Sequence, residues 1–164
     1  MDDLIVNVKI WDRLVGALIW DKNKNVASFQ FEPKFLRAGL DVSPIVMPLK
    51  KSSKDTVYQF LGNRNECFKG LPGLIADSLP DKYGNKIIHE WFAAHGLMGE
   101  EITPLDRLCY IGSRGMGALE FMLDKDIKEL NASSRLHIEE LTAWADQVFK
   151  DRVNLREKLL QQDK

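Results

Sequence analysis

Residues 5–31, IVNVKIWDRLVGALIWDKNKNVASFQF, read as three consecutive strands. From Ile5 to Trp11, Val6, Val8 and Ile10 share one parity while Asn7 and Lys9 take the other. Successive side chains on a strand point to opposite faces, so this alternation marks a strand with one buried face. A second apolar run, Leu14 to Trp20, follows after only Asp12-Arg13, which is hairpin spacing. That turn has no glycine, which the tight primed turns favour, and its type stays open. Gly16 inside the second run points to a bulge or a close approach of two backbones. The polar turn from Asp21 to Asn25 leads into a third run, Val26 to Phe31. Neighbouring antiparallel strands are the simplest way to connect the three.

Reading outward, Glu32-Pro33 ends the strand, and Pro33 opens a short helix through Leu36 that Gly39 stops. Ile45 to Leu49 reads as a further strand that Pro44 and Pro48 confine to an edge or a strand end, and Val57 to Leu61 as one more short strand. The middle of the chain is helical. Pro72 to Leu79 forms a short helix, and Pro80 starts a longer one to His95. On that helix Tyr83, Ile87, Ile88, Trp91 and Phe92 make a wide apolar stripe. Thr103-Pro104-Leu105-Asp106 joins an N-cap threonine, an N1 proline and an acid at N3, so a further helix begins there, with Leu105, Leu108 and Cys109 inward. Gly112 ends it, and Ala118 to Leu123 returns to a strand.

These elements predict an α+β fold in which a small antiparallel β-sheet, or a partly open barrel, made mainly of N-terminal strands packs against several α-helices. Residues 1–123 form that module. Residues 124–164 form a polar linker and a helical extension, in which the helix from Ile138 to Lys150 carries Leu141, Trp144, Ala145, Val148 and Phe149 on one stripe.

The chain has 164 residues, a formal net charge of -1, 45% hydrophobic and 29% charged residues, which suits one ordinary globular domain. That balance lacks the electrostatic footprint of a nucleic-acid binder, and no direct nucleic-acid contact is expected. The short basic run Lys50-Lys51-Ser52-Ser53-Lys54 reads as a solvated loop. Met1-Asp2-Asp3 leads straight into a strand, unlike a secretory leader, and no apolar run is long enough to span a membrane. A cytoplasmic location is the expectation.

No catalytic, cofactor-binding or metal-binding set emerges. Cys67 and Cys109 are too far apart in sequence for a zinc motif, and His89, His95 and His137 lack ligand spacing. No serine sits in a nucleophile elbow. The loop Gly112-Ser113-Arg114-Gly115-Met116-Gly117 is the densest in glycine, yet its order inverts the dinucleotide fingerprint and its flanks are helix then strand. Its glycines are expected to serve a tight helix-to-strand turn. The residues singled out for contact with a partner or an anion are Arg114 in this loop and the hairpin tryptophans Trp11 and Trp20. For all four tryptophans the core is the default, and one exposed on the hairpin would be an interface anchor. The alternative function is a small enzyme that holds a phosphorylated ligand on loop 112–117.

Several segments together carry a resemblance. Gly70-Leu71-Pro72-Gly73-Leu74-Ile75-Ala76-Asp77-Ser78-Leu79-Pro80-Asp81, then Leu105 to Ile111, then Arg114-Gly115-Met116-Gly117-Ala118-Leu119-Glu120-Phe121 resemble the N-terminal region of HipA-family toxins, the serine/threonine kinases of bacterial type II toxin–antitoxin modules. The opening hairpin, Phe31-Glu32-Pro33 to Leu36 and Val46-Met47-Pro48-Leu49 follow that family in the same order. The resemblance covers nearly the whole chain. It implies a non-catalytic docking or regulatory module of a HipA-like kinase, tied to growth arrest and persistence. Its implied partners are the kinase core and a HipB-like helix-turn-helix antitoxin. In full-length members the nucleotide loop and the catalytic and metal-binding aspartates come later, so ATP and magnesium are expected only for the kinase core. The expectation is a fragment of such a kinase or a freestanding regulator of one.

Overall fold

The computed structural model describes residues 4–94, 102–115 and 117–124, and the single positions 143 and 147. Five strands form one open antiparallel sheet: β1 (Ile5–Ile10), β2 (Arg13–Asp21), β3 (Val26–Phe31), β4 (Val57–Gln59) and β5 (Leu119–Leu123), in the order β4-β3-β2-β1-β5. Within described residues 4–124 four helices accompany it: α1 (Pro33–Ala38), α2 (Gly73–Ala76), α3 (Lys82–Ala94) and α4 (Pro104–Ile111). The fold is the α+β arrangement expected, with an open sheet rather than a barrel. The helix expected from Ile138 to Lys150, with Trp144, lies outside the described residues except at Ala143 and Gln147. His95 and His137 lie outside them as well.

Parity along the first hairpin is reset by a bulge. Ile10 pairs with Arg13 and Lys9 with Leu14, but Val8 pairs with Gly16, so Val15 is the extra residue. A one-residue slip would send every following side chain to the opposite face. Here the bulge brings Leu18 and Trp20 to the same face as Val6 and Val8, and all four are buried. The bulged Val15 is buried too, and its carbonyl accepts the Glu32 N–H at 2.9 Å, which fixes where α1 begins. Gly16 is compulsory beside it. A Cβ there would stand 2.2 Å from the Gln30 carbonyl oxygen and 2.9 Å from the Phe29 ring. The close approach expected at Gly16 and the bulge are therefore both present.

The turn falls one residue earlier than its expected place. Its central residues are Trp11 and Asp12, with φ of 47° and 62°, so β1 ends at Ile10. Positive φ at both positions is the type I′ geometry, whose twist matches that of the flanking strands. The bulge makes this shift possible, because it absorbs the residue that a later turn would otherwise have used.

The segment from Ile45 to Leu49 is not a strand. Met47 donates its N–H to the Ser43 carbonyl at 2.9 Å, closing a turn, and a short 3-10 turn, Leu49–Lys51, follows. Asp41 holds both ends of this loop, accepting from the Ser43 N–H at 3.4 Å and the Leu49 N–H at 3.3 Å. Pro44 and Pro48 remove two ladder donors, and the local turn satisfies the rest of the backbone better than an edge would. Met47 is the fully buried residue of this segment, and Leu49 packs against the same core. The strand expected after it is present as β4, shortened to Val57–Gln59.

One face of the sheet carries the core. Val6, Val8, Leu18, Phe29, Phe31 and Phe121 pack with Phe35 of α1, Ile75 of α2 and Leu105, Leu108 and Cys109 of α4. A second cluster joins Ile88, Trp91 and Phe92 of α3 to Tyr110 and Ile111 of α4. Helix α4 thus has two apolar sides and couples α3 to the sheet. Its start is a full capping box: the Thr103 hydroxyl accepts the Asp106 N–H at 3.3 Å, and the Asp106 carboxylate accepts the Thr103 N–H at 2.7 Å. Tyr83 is 53% exposed, so the α3 stripe is narrower than expected. The opposite face of the sheet carries Ile5, Asn7, Lys9, Ala17, Ile19, Ser28, Gln30, Glu120 and Met122, none of them buried.

Candidate functional site

Strand register decides which of the singled-out residues share a surface. Ile10 pairs with Arg13 on one side and with Leu119 on the other. The Trp11–Asp12 turn therefore projects from the same end of the sheet at which loop 112–118 enters β5. The β3–α1 junction at Glu32 and the turn that leads into β4 are at this end too, since Gln30 pairs with Val57. Lys50, Lys51 and Lys54 are exposed there, and the Gln30 side-chain amide donates to the Lys54 carbonyl at 2.5 Å. The basic run is thus a folded turn: the Ser52 hydroxyl lies 2.6 Å from the Tyr58 hydroxyl, and Ser53 bonds Thr56.

Trp11 is 69% exposed. The left-handed region costs a residue with a side chain roughly 1–2 kcal/mol, and asparagine or glycine normally takes such turn positions. A large apolar side chain held in water on a left-handed backbone is unfavourable for the isolated fold on both counts. Backbone strain of this kind and an exposed large ring are the two features that the interface-anchor expectation for a hairpin tryptophan calls for.

Trp20 is placed differently. It is buried, near the far end of the sheet, opposite Ala27 in the β2/β3 ladder. A Cβ on Gly70, whose φ is +80°, would stand 3.0 Å from the Trp20 ring. Gly70 also accepts the Ala27 N–H on its carbonyl at 2.8 Å. Trp20 is therefore a packing residue beneath the 63–71 segment, and Trp11 is the hairpin tryptophan available at the surface.

Arg114 is partly buried and turned back on α4. Its guanidinium donates to the Tyr110 carbonyl and lies 5.8 Å from the Tyr110 ring centroid. A cation at a helix C-terminus meets carbonyls without intrahelical partners and the negative end of the dipole. The loop backbone is engaged likewise: Gly112 donates to Leu108 at 2.9 Å, Arg114 to Ile111 at 2.9 Å, and the Gly112 carbonyl accepts from Phe121 at 3.1 Å. Gly112 has a φ of 55° and forms the helix-to-strand turn. These donors face the protein and not a phosphate cradle.

The titratable groups near α4 are tuned by burial. The Asp106 carboxyl is held above its ordinary range mainly by desolvation, against the pull of its hydrogen bonds from Thr103. The buried Cys109 thiol is pushed far up by desolvation and then by the Asp106 charge, which makes it a poor nucleophile. Among the described residues no three His, Cys, Asp or Glu side chains gather as a metal site, and no helix is long and apolar enough to cross a membrane.

Sequence reasoning missed the apolar loop after α1. Ile45 is 91% exposed and Val46 53% exposed, because the segment is a turn and not an edge strand. The flanking prolines were the signal for it.

Residues 6–122 match the family model described as HipA N-terminal domain. The match begins in β1 and ends in β5, and so takes in the sheet and helices α1 to α4. No curated protein and no solved structure matches the chain.

Proposed function

Since the chain belongs to the HipA N-terminal domain family, and is thereby a toxin–antitoxin-related module, we propose that it acts as a non-catalytic docking or regulatory module of a HipA-like kinase. Residues 1–123 are the module, and 124–164 lead from it toward the kinase core. The partners in this reading are that core and a HipB-like helix-turn-helix antitoxin.

The observation that supports it is Trp11: exposed, apolar and on a left-handed turn. Tryptophan is among the residues that most often dominate binding energy when a partner desolvates it. The exposed Leu40, Ile45 and Val46 lie in the loop that follows α1. Enzyme chemistry has little to build on by comparison, because Cys109 is buried with a raised pKa and the Gly112 and Arg114 N–H groups of the glycine loop bond back onto α4. The test is calorimetry on the whole chain. Titration with a HipA-like kinase core is expected to show a complex, and titration with magnesium and ATP is expected to show none. Tight, magnesium-dependent ATP binding by this chain alone would overturn the reading.

A further inference from the structure

The face of the sheet turned away from the core carries a compact apolar patch. Ile5 and Ile19 are direct partners across the β1/β2 ladder, and Asn7 pairs with Ala17 on one side and Met122 on the other. Ile19 is 36% exposed and Met122 42%. The surround is polar: Lys9 opposite Glu120 toward the hairpin end, and Ser28 and Gln30 on the neighbouring strand. Apolar groups gathered on an exposed sheet face and rimmed by polar ones are the pattern of an interaction surface.

Two observations identify the cover. The first is where the chain leaves the sheet. Strand β5 ends at Leu123, opposite Val6, and the Asp124 N–H donates to the Ile5 carbonyl at 3.1 Å. The polypeptide therefore departs from the edge of the patch itself. The second is the segment that follows. Leu141, Trp144, Ala145, Val148 and Phe149 recur at helical spacing. Ala143 and Gln147 are helical and exposed. A helix advances about 100° per residue, so in a helix that exposes 143 and 147 the sequence positions 141, 145 and 148 belong to the opposite side. Residues 125–137 reach up to about 40 Å when extended, far more than a return to the patch requires.

We propose that the apolar side of residues 138–150 docks on the open sheet face over Ile5, Ala17, Ile19 and Met122. The sheet then lies between two helical layers, and the segment that leads out of the module is tied to it. This inference is independent of the kinase reading.

The test is disulfide trapping in the full-length chain. Cys67, which is exposed, is replaced by serine, while Cys109 stays because it is buried. Ala17→Cys is combined with Ala145→Cys, and in a control with Ala143→Cys on the exposed side. Both pairs replace alanine by cysteine, so they differ only in the side of the helix that is probed. Bridging requires the two Cα atoms to approach within about 7 Å. The expected result is a monomeric 17–145 disulfide that forms at least about tenfold faster than 17–143, at a rate independent of protein concentration. Equal rates, no bridge, or bridges only between two chains would overturn the proposal, the last by making a second copy the occupant. Hydrogen exchange supplies a readout that needs no cysteines. Met122→Asp is expected to remove protection from amides 141–149 and leave β1–β3 protected. Unchanged protection of 141–149 in that variant, with the sheet intact, would equally overturn it.

Discussion

Ile10 is the direct partner of Leu119 in the β1/β5 ladder, and that pairing sets the Trp11–Asp12 turn beside the loop that carries Arg114. Two features from distant parts of the chain thus share one end of the sheet. The end holds an exposed tryptophan, a basic run and a loop in which the Gly112 and Arg114 N–H groups and the Arg114 guanidinium bond back onto α4.

Trp11→Gly separates folding from contact. Removing the side chain at a φ of 47° relieves backbone strain, and the chain is expected to gain roughly 0.5–1 kcal/mol in urea unfolding. A loss of stability would show that Trp11 packs on its own fold.

Gly16→Ala is expected to destabilise the fold by roughly 2–4 kcal/mol, since the new methyl group meets a backbone carbonyl that cannot swing aside. Thermal unfolding of the two chains checks this. An unchanged midpoint would mean that β2 and β3 are farther apart than described.

Asp106 carries a pH signature. Its folded pKa lies above the unfolded value, so the folded state holds the proton more tightly. By linkage its contribution to stability is fully present below the ordinary carboxylate range and declines as pH rises through the folded pKa. Asp106→Asn removes that dependence. The variant's stability relative to the parent is therefore expected to increase from acidic pH toward neutrality. Denaturant unfolding across that range reads the trend, and a relative stability that falls with pH would show that the capping bonds outweigh burial.

Arg114→Ala tests the glycine loop. The side chain caps the end of α4, so its removal is expected to cost roughly 1 kcal/mol of stability. Neither form is expected to bind inorganic phosphate in a calorimetric titration. Binding by the parent that is lost in the variant would favour the phosphate-ligand reading.

Much of this was legible from local chemistry. Thr103-Pro104-Leu105-Asp106 announces its capping box, and Pro33 and Gly39 bracket α1, because caps and breakers act within a few residues. The alternation of β1 and β3 marks their buried face directly. What escaped depends on partners distant in sequence. The bulge at Val15 exists because Gly16 must pass under Gln30, and it moves the turn onto Trp11. Trp11 and Trp20 are equivalent as members of one hairpin, and only the packing of Gly70 against Trp20 separates the buried ring from the exposed one. Ile45 to Leu49 has a strand's composition, but its prolines and the Asp41 side chain close a turn first.

The most direct test of the docking account is calorimetric titration of a HipA-like kinase core with the full chain and with its Trp11→Ala variant. The expected result is a stoichiometric complex whose affinity falls by at least about thirtyfold in the variant, the scale of a hot-spot truncation. Equal affinity of the two forms, or no complex with either, would contradict it.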